Sequence, residues 1–234
     1  MREPAGAPAH APDRRRHAGA ALLAALLVLE SAAGVAARAD ERVDLTAVDE
    51  VQLVGELGGV SGPGVVLASD ATGDRRQWEG VARRLVDRGF RTLRFDYRGR
   101  GDSDGAADPG AVARDLEGAY RYMLGRKIRT VFLVGAGAGG TAALVLATRV
   151  PVAGVAAVAA PPVAGALDGA GALARLRLPV LVVGAADDAL ATIAAEHPAP
   201  TLTIRRIASV GSESPLPATA ATFDALLELL QGAR

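Results

Sequence analysis

Apolar runs and segments of helical periodicity alternate along most of the chain. The apolar runs are short and rich in Val, Leu and Ala, as buried strands are. We predict strands at 65–68, 91–95, 130–134, 152–160, 179–183 and 201–207. The segments between them carry apolar residues at helical spacing, with Trp78, Val81 and Leu85 on one face of the first. We predict helices at 75–88, 109–124, 141–149, 189–196 and 218–230.

Two further strands precede this alternating part. Residues 42–48 alternate apolar and polar positions, and 51–57 return after a turn at Asp49 and Glu50, which predicts a hairpin. A hairpin followed by alternating strands and helices implies an α/β fold, with a mostly parallel sheet and helices on both faces. Ligands in such folds bind beyond the carboxyl ends of the strands. The alanine-rich connection at 163–177 is too short to form a lid domain.

The first 39 residues have the pattern of an export signal. Arg14 to Arg16 precede an apolar run at 18–29, and Ala37-Arg38-Ala39 offers a cleavage site before Asp40. The apolar run is shorter than the roughly 20 residues of a transmembrane helix. We therefore expect residues 1–39 to direct export and 40–234 to form one periplasmic or secreted domain. The alternative is an uncleaved leader in which 18–29 anchors the chain in the membrane.

Composition and charge exclude several classes of function. The 234 residues include 26 basic and 26 acidic side chains, so bulk charge does not favour a nucleic-acid partner. The chain has no cysteine, and two of its three histidines, His10 and His17, lie in the leader. We therefore expect no disulfide, no metal and no cofactor.

A glycine-rich turn follows the strand predicted at 130–134. Gly135-x-Gly137-x-x-Gly140 matches the dinucleotide fingerprint, whose glycines let a pyrophosphate approach a helix N-terminus. The same turn, Gly135-Ala-Gly137-Ala-Gly139, matches the frame of the nucleophile elbow G-x-S-x-G, with glycine in place of the serine. A dinucleotide site also needs an acidic residue at the end of the next strand, which here ends in two prolines. The elbow is therefore the leading interpretation.

Three further segments resemble the α/β-hydrolase superfamily and occur in its order. The loop from Asp96 to Ser103 resembles the family's D-x-R-G-x-G-x-S loop, and the strand that leads to Asp187 and Asp188 resembles its acid-bearing strand. Residues 207–212 resemble the segment that usually ends in Gly-His. The resemblance covers about residues 42–232 and implies the α/β-hydrolase fold with a Ser-His-Asp site. Within the first loop, we expect Asp96 and Arg98 to form an ion pair.

The resemblance also predicts that two catalytic groups are missing. Gly137 stands at the position of the nucleophilic serine and Ser212 at that of the histidine, so neither nucleophile nor base is present. The acid position is retained as Asp188, which could instead cap a helix. The loop on the oxyanion side begins with Ser69 and Asp70 where the family usually has His-Gly, and a carboxylate there would oppose an oxyanion. We place the remaining binding cleft at Ser69, Asp70 and Ala138.

Three hypotheses of function follow from these residues. The first is an exported α/β-hydrolase-fold protein that has lost catalysis and binds a small molecule or an envelope protein. The second is an enzyme of the same fold that acts without a serine, with Asp188 orienting water. The third is a dinucleotide-binding protein that uses Gly135, Gly137 and Gly140. An open space above Gly137 would favour ligand binding, and a filled space would favour a structural role.

Overall fold

The computed structural model describes residues 40–207 and 219–232. The leader at 1–39 and Ser212 lie outside the described residues. Within them, the strands form one eight-stranded sheet and one small ribbon. In chain order the strands are β1 Glu41–Thr46, β2 Gln52–Gly58, β3 Gly64–Ala68, β4 Arg91–Phe95, β5 Val131–Ala136, β6 Gly154–Val158, β7 Val163–Ala164, β8 Leu167–Asp168, β9 Val180–Gly184 and β10 Leu202–Arg206.

The large sheet has the strand order β1-β2-β4-β3-β5-β6-β9-β10. The pairs β1–β2 and β2–β4 are antiparallel, and all other neighbours from β4 to β10 are parallel. The predicted hairpin and the mostly parallel sheet are therefore confirmed. The register of β3 with β5 places Ala68 opposite Gly135. As a result, the loop after β3 and the glycine turn after β5 meet at the carboxyl end of the sheet.

Helices cover both faces of this sheet, as predicted. In the described part of the chain they are α1 Glu79–Val86, α2 Val112–Gly125, α3 Ala138–Ala147, α4 Gly169–Arg175, α5 Ala189–Glu196 and α6 Ala220–Gly232. Helices α2 to α5 share one apolar core with one face, and α1 and α6 share a second core with the other. Trp78 is fully buried in the second core, as its spacing with Val81 and Leu85 predicted. None of these helices is long and apolar enough to span a membrane.

Several predicted segments differ in detail from the structure. The predicted helices at 75–88 and 109–124 each begin with a 3-10 turn, at Arg75–Trp78 and Pro109–Ala111. The third helix begins at Ala138, three residues before the predicted start, because the small residues of the turn let it follow β5 directly. The connection at 163–177 contains the ribbon β7–β8 and helix α4, and it forms no lid domain. The Asp108 side chain caps the 3-10 turn Pro109–Ala111 that leads into α2, accepting a hydrogen bond from Gly110 N at 2.8 Å.

The loop after β4 is held by ion pairs other than the predicted one. Arg98 donates to Asp49 in the β1–β2 turn at 2.9 Å and to buried Asp115 of α2 at 2.9 Å. Asp96 is paired instead with Arg75. The predicted pair between Asp96 and Arg98 is wrong, because the two side chains reach different neighbouring elements. The hydrogen bonds to Asp49 and Asp115 raise the pKa of Arg98, and the bond from Arg98 lowers the pKa of Asp49.

Candidate functional site

The turn between β5 and α3 consists of Gly137 alone. Its backbone has φ 54° and ψ −130°, a conformation that costs a residue with a side chain about 1–3 kcal/mol. The Gly137 N–H donates to Val158 O at 3.0 Å, and its carbonyl accepts from Gly140 N at 3.0 Å. The sharp turn of a nucleophile elbow is thus present and tied to β6. Glycine adopts it freely but brings no reactive group.

The Asp70 carboxylate lies directly beside this turn. Its Oδ1 accepts hydrogen bonds from Ala138 N at 2.9 Å and from Ala71 N at 2.8 Å. A Cβ atom built on Gly137 would overlap that carboxylate. The space that a side chain at position 137 would enter is therefore filled by a side chain from the loop after β3.

The two N–H groups that Asp70 accepts from lie where the resemblance to α/β hydrolases predicts an oxyanion hole. In α/β hydrolases, the oxyanion hole combines the N–H of the residue after the nucleophile with an N–H of the loop after the third strand. The corresponding donors here are Ala138 N and Ala71 N, and both are bound to Asp70. A carboxylate at that place satisfies the donors and repels the negative charge of an oxyanion. Sequence reasoning found the residue and its unfavourable charge, but not this pair of bonds.

Ser69, predicted to line the cleft, is fully buried instead. The Tyr97 hydroxyl donates to Ser69 O at 3.2 Å and lies under the start of α3. Burial raises the pKa of Tyr97, as do the charges of Asp115 and Asp70, so the phenol stays neutral and cannot act as a base near neutral pH. Of the three predicted cleft residues, Asp70 and Ala138 are in contact with each other and Ser69 lies beneath them.

Asp188 caps helix α5. Its Oδ1 accepts from Ala191 N at 2.7 Å, and its carbonyl accepts from the Thr192 hydroxyl at 2.9 Å. His197, the one histidine among the described residues, follows the last residue of the same helix, about 13 Å from Asp188 along the helix axis. The structure therefore does not bring Asp188 and His197 together as an acid–base pair. Ser212 lies outside the described residues.

The other glycines of the turn have packing reasons for their identity. A Cβ on Gly135 would overlap the backbone of Gly139, and one on Gly140 would lie 2.8 Å from Ala160 Cβ. The buried Thr141 hydroxyl donates to Pro161 O at 2.7 Å. Close packing of α3 on the sheet thus accounts for the spacing that matches a dinucleotide fingerprint. The helix N-terminus that would receive a pyrophosphate already holds the Asp70 carboxylate.

A cavity of about 720 Å³ lies away from the elbow. It is bounded by α4, α5 and the segment that leads into β10, near the amino ends of β9 and β10. Its lining is mostly apolar, with Arg177 and His197 as the ionisable residues. Sequence reasoning missed this cavity because its residues belong to separate elements and form no motif. The apolar part includes Leu173, Leu176, Val180, Ile193, Pro198 and Leu202.

Comparisons with known proteins identify the fold. No family model matches the chain, and a search of curated proteins finds no significant relative. Solved structures do match. An esterase from Pyrococcus furiosus has a TM-score of 0.71 at 15% identity, with 82% of this chain and 90% of that chain covered. An esterase from Exiguobacterium antarcticum has a TM-score of 0.69 at 18% identity, with 82% and 100% covered.

An α/β hydrolase from Novosphingobium aromaticivorans is also similar, with a TM-score of 0.64 at 20% identity and with 82% and 98% covered. These likenesses, the strand order and the elbow turn agree with one another. The chain has the α/β-hydrolase fold.

Proposed function

We propose that this α/β-hydrolase-fold protein has no serine-hydrolase activity and acts as a binding or scaffolding protein of the cell envelope. The observation that carries the proposal is the Asp70 carboxylate beside Gly137. Ester hydrolysis by this fold needs a nucleophile at the elbow and free N–H donors for the oxyanion. Position 137 supplies no nucleophile, and the two donors are bound to Asp70. The envelope location rests on the leader pattern at 1–39.

Reactivity of the full chain tests the loss of catalysis. We expect no labelling of the wild type by a fluorophosphonate probe, and hydrolysis of short-chain p-nitrophenyl esters no faster than with heat-denatured protein. The comparison variant combines Gly137→Ser and Ser212→His with Asp70→Gly, which removes the carboxylate that a side chain at 137 would overlap. Wild-type turnover clearly above that of heat-denatured protein, at the level of the triple variant, would overturn the proposal.

The two alternatives receive no support from the geometry. Asp188 is engaged as a helix cap, and the described residues place no base beside it. If wild-type turnover were observed and Asp188→Asn abolished it, the serine-independent enzyme would become the better account, since Asn keeps the cap. For dinucleotide binding, we expect no thermal shift with NAD or NADP, because the helix N-terminus is already bound to Asp70.

A binding role has support from the cavity between α4 and α5. Its volume of about 720 Å³ falls in the range of small-molecule sites, roughly 300–1,000 Å³. Because Asp70 fills the space above Gly137, a ligand would bind at this second place rather than at the elbow. The mostly apolar lining suits an apolar ligand.

A cavity-filling substitution tests this binding role. Ala174 is exposed at the cavity wall, and Ala174→Trp places an indole there without disturbing the core. We expect the affinity for the apolar dye anilinonaphthalene sulfonate to fall about tenfold, because the indole takes up much of the space. Ala195→Trp, on the exposed side of α5, is the matched control. Equal dye binding by wild type and Ala174→Trp would argue against a ligand in this cavity.

A further inference from the structure

A smaller cavity, of about 420 Å³, lies at the amino end of the sheet. It is lined by residues 61–63 before β3, by Arg91 at the start of β4, and by residues 126–130 before β5. Because β3, β4 and β5 are parallel, their starts lie together at this end and the elbow lies at the other. We call this place the cationic cavity. It is separate from the site over Gly137.

The cationic cavity concentrates positive charge. Four of its lining residues are basic, namely Arg91, Arg126, Lys127 and Arg129, and none is acidic. Arg126 pairs with Glu41 at 3.2 Å in an exposed contact. Within the described ranges, no carboxylate forms an ion pair with the other three. The chain as a whole has no net charge, so these three cations around one concavity are a local excess.

Arg91 supplies a second, independent observation. Its Nε is shielded from solvent and has no hydrogen-bond partner among the described residues. Buried donors in native proteins are normally satisfied, and one that is not calls for an explanation, of which a bound water or ion is one. The contrast with Arg98 is informative, because that guanidinium is satisfied by two carboxylates. For the Arg91 guanidinium, the part of the chain that the structure describes supplies no such carboxylate.

We propose that the cationic cavity binds a phosphate group, carried either by a soluble phosphate or by the headgroup of an anionic lipid. The guanidinium fork matches phosphate oxygens in two parallel hydrogen bonds, and lysine adds a mobile point charge. Arg91 provides the recessed donor, while Lys127 and Arg129 provide exposed charges at the rim. Thr130 and the segment 61–63 complete the wall.

Lys127 makes the test specific, because it is the single lysine of the chain. The full chain is acylated with a water-soluble succinimidyl acetate reagent, in inorganic phosphate or in sodium chloride of equal ionic strength. Mass spectrometry then follows Lys127, with the α-amino group as internal reference. We expect saturating phosphate to slow acylation of Lys127 at least about fivefold, because an ion-paired ammonium is protonated and shielded.

Variants separate a site from a general salt effect. Arg129→Gln is exposed, so the fold should persist, and we expect it to abolish most of the phosphate protection of Lys127. Arg76→Gln removes the same charge from an exposed position near the other end of the strands, and protection should be retained. Unchanged melting temperatures establish that both variants are folded. Protection that survives Arg129→Gln, or that is lost in both variants, would overturn the proposal.

A vesicle experiment distinguishes the two sources of the phosphate. The full chain is sedimented with phosphatidylcholine vesicles, with or without phosphatidic acid, and Arg129→Gln is compared with Arg76→Gln. Sedimentation with phosphatidic acid that only Arg129→Gln weakens assigns the site to a lipid headgroup. Phosphate protection without such sedimentation assigns it to a soluble phosphate. Absence of both effects, or vesicle binding equal in the two variants without phosphate protection, contradicts the proposal.

Discussion

Two aspartates at the carboxyl end of the sheet bind the first turns of helices, and they do so in different ways. Asp188 accepts from Ala191 N, three residues further along the chain. Asp70 accepts from Ala138 N, 68 residues away, and also from Ala71 N. The first is a local helix cap. The second joins the loop after β3 to the helix after β5.

This difference explains why Asp188 says less about the catalytic state of the site than Asp70 does. Asp188 keeps the residue type of a catalytic acid, but a cap of α5 is enough to account for it. Asp70 has no counterpart in the Ser-His-Asp scheme, yet its carboxylate lies against both donors that the reaction would use. Two features therefore argue against catalysis at this site: the missing serine and the carboxylate that occupies the donors.

The largest expected effect concerns Gly137. Gly137→Ala should lower the free energy of unfolding by about 3 kcal/mol, since backbone strain and overlap with Asp70 act together. In an Asp70→Gly background the loss should shrink by about 1 kcal/mol or more, because the overlap is gone. Urea denaturation of the four proteins measures this coupling. Gly165→Ala, with φ 58° and open space around its Cβ, is the control for strain without overlap. Additive effects of the two substitutions would contradict the contact.

Smaller losses of stability are expected from substitutions at Asp70 and Asp188, and they should differ between the two positions. Asp70→Ala should lower the free energy of unfolding by about 2 kcal/mol, because it removes a charged acceptor from two N–H groups. Asp188→Ala removes one cap bond and should cost about 1 kcal/mol. Asp188→Asn should be almost neutral, since Asn caps as well as Asp. Equal losses at the two positions, measured by denaturant unfolding, would remove the distinction between the long-range bond and the local cap.

The smallest effect is expected on acidification and concerns a third aspartate, Asp49. The hydrogen bond from Arg98 lowers its pKa in the folded protein, so the unfolded chain takes up the proton first as the pH falls. The stabilisation is complete above the ordinary aspartate pKa of about 3.9 and is lost as the pH falls through the lower folded value. The melting temperature of Asp49→Asn should therefore fall less between about pH 5 and about pH 2.5 than that of the wild type. A wild-type loss no greater than that of the variant would show that this pair does not contribute to acid lability.

Local patterns predicted much of the fold. The strand pattern, the helix at 189–196 and the buried face with Trp78 all depend on residues close together in the chain. Predictions that required a partner from another element were less successful. The proposed pair of Asp96 with Arg98 was wrong, because Arg75 and Asp49 approach from separate elements. The two cavities have no signal in the sequence for the same reason.

By itself, the sequence determined the order of strands and helices and the absence of a hydroxyl at position 137, since residue identity and periodicity are read along the chain. The tertiary structure decided what lies at that position instead. Pairing of β3 with β5 in one register brings Ala68 beside Gly135, and this places the Asp70 carboxylate over the start of α3. Contacts between residues so far apart depend on which strands become neighbours, and local periodicity does not specify that choice.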